Sequence, residues 1–161
     1  MMRKLYITRW HIAIEVVSYA LIAASFIVAV MGLFTLPDRI PTHYDLAGNV
    51  DGYGSPANLF VMPVTMFISN LVISLIAHFM NPGLWNMPFK IHPARKIAVY
   101  RDIVSMYMWI ELEIAIFNLV FVVMCYTQRM GGIMTLAIIF VIAPLITVIC
   151  CSVLAARHNK Q

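Results

Sequence analysis

Charge is what this sequence has least of. Of its 161 residues 11% are charged and 62% hydrophobic, with a mean hydropathy of +0.87. Soluble domains run to about 25% charged and about 45–50% apolar. A small folded domain leaves roughly a third of its chain surface wet, so this much apolar surface cannot be hidden from water. Lipid is part of the solvent, and a water-soluble fold is excluded. Intrinsic disorder falls with it, because it needs the polar residues that are missing. Cysteine is scarce too. Cys125, Cys150 and Cys151 lack the spacing of a disulfide scaffold or a zinc ribbon. Cys125 sits near one end of its apolar run and the other two near the opposite end of theirs, so no disulfide joins them. They read as small buried hydrophobes, with thioester lipidation of Cys150 or Cys151 as the alternative. Neither H-E-x-x-H nor G-x-S-x-G occurs, and Ser18, Ser25, Ser69, Ser74 and Ser105 have no base near them in sequence. Nucleophilic catalysis has no support, and no motif implies a cofactor.

What is present is apolar length. A hydrocarbon core about 30 Å thick takes about 20 apolar residues per helix, and the runs 12–34, 57–79, 103–126 and 133–156 meet that. They are too long and unbroken for barrel strands. The expected fold is all-α: a polytopic membrane protein, a four-transmembrane-helix bundle forming a single integral domain over 1–161. Basic residues then set its orientation. Arg3, Lys4 and Arg9 precede the first run, Lys90, Arg95, Lys96 and Arg101 lie between the second and third, and Arg157 and Lys160 follow the fourth. Only Arg39 and Arg129 fall on the other side. This bias predicts both termini in the cytoplasm and a plasma-membrane location. The net charge of +4 is therefore topological, and nucleic acid is not an expected partner. The first run is too long for a signal-peptide core, contains Glu15 and lacks a small-x-small cleavage site, so it is expected to remain as a span.

Two connections interrupt the apolar runs. The outer one, LPDRIPTHYDLAGNVDGYGSP over 36–56, is dense in turn formers, and its prolines fix φ at several points. It reads as a structured loop. Ser55 followed by Pro56 marks a helix start. In the inner one, NPGLWNMPFKIHP over 81–93, three prolines prevent a continuous helix, and Trp85 and Phe89 suit the headgroup layer. From Pro93 one helix can run through Tyr126, about 50 Å at 1.5 Å per residue. Pro144 predicts a kink in the fourth helix.

Leu36, Pro37, Ile40, Pro41, His43, Tyr44, Gly48, Asp51, Gly54 and Ser55 reproduce the order LP-x-x-I/V-P-x-H-F/Y-x-x-x-G-x-x-D-x-x-G-S. In that order the region of about 10–75 resembles the N-terminal domain of unknown function of SdpI-type membrane proteins. Asn86, Pro88 and Lys90 are similar to the N-x-P-x-K feature that follows in them. The resemblance implies immunity to a secreted peptide toxin, or sensing of it by holding a regulator at the membrane. Characterised members have about six spans, whereas this chain has four. Expected partners are membrane lipid, an extracellular peptide, a cytoplasmic regulator and, through Ala20-x-x-x-Ala24, a second copy.

Polar residues in this apolar setting are the remaining candidates. Pro37, Pro41, His43, Tyr44, Asp45, Gly48 and Asp51 form the candidate ligand-binding loop, and Asn86, Pro88 and Lys90 the inner one. A calcium loop is excluded, because an EF-hand register puts Ala47 and Asn58 at the first and twelfth ligand positions. The polar loop residues either bond their own turns or face a ligand. Glu15, Glu111 and Glu113 lie in spans, where an ionisable group is expensive. Glu111 is about 12 Å and Glu113 about 15 Å inside the third run, pointing about 200° apart. Glu111 can meet His11, Glu15 and His78 in one inner-leaflet cluster. That cluster reads as a satisfied polar network, as a metal site for an intramembrane enzyme, or as the carboxylate of a proton-coupled small transporter. An equally plain alternative is a neutral, protonated Glu113 bonded to Asn118 or Asn70.

Overall fold

A computed structural model describes residues 5–45, 49–87 and 89–160. Arg3, Lys4, Gly48 and Pro88 lie outside the described residues. Among the described residues are four helices, α1 (Arg9–Thr35), α2 (Val61–Phe79), α3 (Lys96–Thr127) and α4 (Ile133–Lys160), and two strands, β1 (Ile40–Tyr44) and β2 (Val50–Gly54). Each helix is long and apolar enough to cross a membrane, α2 and α3 together with the short 3-10 turns Pro56–Phe60 and Pro93–Arg95 that lead into them. The protein is a multi-pass helical membrane protein.

Why these helices pack as they do follows from spacing. In lipid an apolar side chain gains nothing by turning inward, so contacts go to small and polar residues that allow close approach or bond across helices. The buried residues of α1 include His11, Ser18, Ile22, Ser25, Ala29 and Gly32, and those of α3 include Val104, Met108, Glu111, Ala115, Asn118 and Val122. On α1 from Ser18, and on α3 from Val104, the steps alternate between three and four, which is one seam of a coiled-coil-like interface. In α2, Asn70, Ser74 and Ala77 continue the pattern. At Gly32 a Cβ would strike the Leu59 side chain, so the absence of one lets the turn before α2 close onto α1.

The chain runs up and down. His11 meets Ser105 and Ser25 meets Asn118, so α1 and α3 are parallel. Glu15 meets His78 and Asp102 meets His158, so α2 and α4 run opposite to them. One end of the bundle carries β1–β2 and the α3–α4 turn; the other, the terminal end, carries the start of α1, the end of α4 and the α2–α3 connection. In α4 only Cys151 and Ala155 are buried among the described residues.

The connection before α2 is a β-hairpin, which turn chemistry alone did not predict. Its antiparallel pairs are Ile40 with Gly54, Pro41 with Tyr53, His43 with Gly52 and Tyr44 with Val50, with irregular register on both sides of His43. Ile40 is buried with Ala29 and Leu59, seating the hairpin on the bundle. The α2–α3 connection also differs from its expectation. Trp85 does not face headgroups: it is 8% exposed and edge-on to Tyr6, Tyr100 and Tyr107. Phe89 packs half-buried against the same cluster. Four aromatic rings that find one another at the terminal end bury more surface than an indole left in the interface. Asn159 of α4 clasps this connection, accepting from the His92 N–H (2.7 Å) and donating to the Lys90 carbonyl (2.9 Å).

Candidate functional site

Two groups of polar side chains stand out, one buried between helices and one exposed on the hairpin. The buried group follows the seam of α1, α2 and α3. Nearest the terminal end, His11 completes a capping box: its Nδ1 accepts from the Thr8 N–H (3.2 Å) and its own N–H donates to Thr8 Oγ1 (3.4 Å). With Nδ1 accepting, the ring proton is on Nε2, which donates to Ser105 Oγ (2.9 Å). One turn further, Glu15 Oε2 pairs with His78 Nε2 at 2.9 Å. Deeper still, the Ser74 hydroxyl donates to Glu111 Oε1 (2.8 Å) and lies 2.9 Å from the Tyr19 hydroxyl. Because Ser74 spends its proton on the carboxyl group, Tyr19 is the donor to Ser74. Asn70 donates to the Glu111 carbonyl (3.2 Å), and Asn118 donates to Ser25 Oγ (2.6 Å).

His11, Glu15, His78 and Glu111 share a depth range without converging. They belong to three separate contacts, and both ring nitrogens of His11 are occupied by protein groups. Among the described residues no three His, Cys, Asp or Glu side chains are grouped to hold a metal ion. The expectation of one four-residue ligand cluster is therefore corrected. The physical reason is spacing: one i, i+4 step on α1 moves the contact by about 6 Å along the axis, enough to give His11 and Glu15 different partners. Glu111 is fully buried and its Oε2 has no partner among the described residues. Glu113 bonds neither Asn118 nor Asn70; the Thr147 hydroxyl of α4 donates to it at 2.5 Å. Its rotation from Glu111 turns it toward the α3–α4 interface.

Sequence reasoning missed Ser74 and Tyr19. The signal was available: Asn70, Ser74 and His78 recur at four-residue spacing and so share one face of α2.

The exposed group is carried by the hairpin. His43 Nδ1 lies 2.5 Å from Asp51 Oδ1, with side chains 73% and 47% exposed. A Cβ on Gly52 would fall 2.8 Å from the His43 Cβ, so glycine opposite His43 is what lets the strands close there. At the tip, the Asn49 backbone and side chain both donate to the Asp45 carboxylate (2.8 and 3.0 Å), and the Asp45 N–H donates to the Asn49 carbonyl (2.9 Å). Asp45 thus shapes the turn. Pro37 is exposed and Pro41 half-buried. Tyr44 and Pro41 help roof a cavity of about 80 Å³ whose floor includes Leu59, Met62 and Phe121. That is roughly half the ~150 Å³ of an apolar cavity that admits benzene. Burial holds the Tyr44 phenol above the ordinary tyrosine value, with smaller contributions from Cys125 and Tyr53. At the terminal end Asn86 and Lys90 are exposed.

A helical membrane bundle with a β-hairpin between its first two spans is the class this geometry defines. Within it, residues 20–67, from α1 through the hairpin into α2, match the model of a domain of unknown function (DUF1648). No curated protein and no solved structure matches the chain.

Proposed function

We propose that the protein is a membrane accessory protein of the SdpI type, conferring immunity to, or sensing of, an extracellular peptide through its hairpin. In this reading it resides in the plasma membrane with the hairpin outside and both termini in the cytoplasm. The carrying observation is the His43–Asp51 pair: a charge-capable, largely exposed group mounted on a hairpin that Ile40 anchors to the bundle. A fold that needs lipid around it has little other reason to order polar side chains there. The neighbouring cavity would take an apolar side chain of the peptide. The basic residues that flank the terminal end support the orientation, and exposed Asn86, Lys90 and Arg95 would meet a cytoplasmic regulator.

The test is protection. Expressed in a peptide-sensitive bacterial host, the wild-type chain should lower killing by its cognate secreted peptide roughly tenfold or more, the effect of about 1.4 kcal/mol in binding. The double variant His43→Ala with Asp51→Ala should lose it at equal membrane abundance. Retention of protection by that variant overturns the reading.

Glu111 favours a second reading, proton-coupled transport, since a fully buried carboxyl with an unpartnered oxygen lies in the seam. Proton flux into vesicles containing the protein, abolished in Glu111→Gln, would support it; equal flux in both would discard it.

A further inference from the structure

On the outside of the α1–α3 seam, at the terminal end, runs a groove of about 410 Å³ that neither reading above uses. Its α3 wall is Arg101, Ser105 and Trp109, at four-residue steps on one face, spanning about 12 Å along the helix. Thr8, Trp10, His11 and Ile14 form the opposite wall. Because α1 and α3 are parallel, both walls change character in the same direction. The groove begins at a guanidinium and a hydroxyl, passes the bonded His11–Ser105 pair, and ends between an isoleucine and an indole. This is the profile of an amphiphile, with its polar head toward the terminal end.

The sign of that head follows from the charges. Arg101 is exposed and takes part in none of the ion pairs among the described residues. Asp102, next to it in sequence, is engaged by His158, and Glu15 of α1 by His78. The first turn of α1 contains no acidic residue, so its N-terminal partial positive charge is uncompensated. Trp10 and Trp109 both line the groove and are 77% and 46% exposed, and indoles partition to the depth where headgroups meet acyl chains. His11, by contrast, is 5% exposed and held at both ring nitrogens, which gives the groove a fixed floor.

We propose that this groove is a binding site for one anionic membrane phospholipid, its phosphate on Arg101 and an acyl chain along Ile14 and Trp109. A free phosphate would leave the apolar half unused, and a zwitterionic lipid would bring its own cation to Arg101.

The full chain in neutral-detergent micelles tests this by tryptophan quenching with phospholipids brominated on their acyl chains. Brominated phosphatidylglycerol should quench at about fivefold lower concentration than brominated phosphatidylcholine, the preference expected of one basic residue at an anionic surface. Arg101→Gln should erase the difference, and Arg129→Gln, at the opposite end of the bundle, should keep it. Trp10→Phe together with Trp109→Phe, which leaves the buried Trp85 as the remaining indole, should remove most of the quenched signal, which guards against the case in which Arg101→Gln fails to fold. Thermal unfolding should rise with unlabelled phosphatidylglycerol and stay unchanged with inorganic phosphate. Equal quenching by the two lipids, a preference surviving in Arg101→Gln, or an equal thermal shift from inorganic phosphate would each overturn the proposal.

Discussion

His78–Glu15 and His43–Asp51 are the same chemical pair in opposite settings. The first joins α2 to α1 inside the bundle, with side chains 30% and 15% exposed; the second joins two hairpin strands at 73% and 47%. In a lipid-embedded seam a polar group must find a protein partner, because no water is there to replace it. On the hairpin, water can replace either partner at small cost. A partly buried pair between helices is thus committed to the fold, whereas an exposed one is free to exchange its partner for a ligand. That contrast directs the search for function to the hairpin, even though the ionisable residues of the spans look more unusual in sequence.

The contrast can be broken first where it should be largest, between aromatic residues. Trp85→Ala removes a side chain packed edge-on against three tyrosines, and should cost about 3–5 kcal/mol in unfolding free energy. Tyr53→Ala, at a hairpin residue 59% exposed, should stay within about 0.5 kcal/mol. Thermal or denaturant unfolding in detergent reads both, and comparable losses would show that the hairpin carries the fold after all. Next comes the polar seam. Ser74→Ala strips Glu111 Oε1 of its donor and Tyr19 of its acceptor, for a loss of about 1–3 kcal/mol. Asn118→Ala, which removes one interhelical bond to Ser25, should cost less, about 0.6 to 1.7 kcal/mol for the bond itself. Reversal of that order would mean that Glu111 does not depend on Ser74.

Within the hairpin, the cavity-facing side and the open side are a smaller version of the same comparison. The Tyr44 phenol faces the cavity, and burial raises its pKa above the ordinary 10.0. The folded state therefore favours the neutral phenol. Its contribution is complete below the unfolded value and is lost as pH rises through the folded one. Proteolysis at the hairpin should accelerate as pH rises above about 10, and Tyr44→Phe should flatten that rise. An unchanged rise would place the titrating group elsewhere.

How far the sequence carried these contrasts depends on the residue. The four spans were legible because hydrocarbon thickness sets a length that few other segments satisfy. The α1 and α3 seams were not read, although their small and polar members Ser25, Ala29 and Gly32 on α1 and Glu111, Ala115 and Asn118 on α3 recur at three- and four-residue steps. The hairpin was not legible, because Pro37, Pro41, Gly52 and Gly54 are turn and bulge formers, and β1 and β2 are five residues each, too short for a clear period of two. His11 and Glu15 shared a face as their spacing required, but which partner each takes depends on the axial offset between helices, and a single sequence does not encode that offset locally. Trp85 was misplaced because an indole beside Lys90 fits an interfacial residue and a core residue equally well until Tyr6, Tyr100 and Tyr107 are brought around it.

The smallest effect is the most discriminating. His43→Ala with Asp51→Ala should change unfolding free energy by no more than about 0.5 kcal/mol, since an exposed pair contributes about 0–1 kcal/mol and both partners leave together. Gly52→Ala attacks the same place differently: the new Cβ meets the His43 Cβ and must part the strands there. Its effect on bundle unfolding should also be slight, because Ile40 and Leu59, not the tip, seat the hairpin on the helices. If both variants leave unfolding unchanged and both abolish peptide protection, His43 and Asp51 act as a presented pair that needs its geometry. If Gly52→Ala preserves protection while the double alanine variant removes it, the side chains suffice without closed strands, and the ligand orders the hairpin. A substantial loss of bundle stability in the double alanine variant would instead return His43 and Asp51 to the category of His78 and Glu15, residues engaged by the fold.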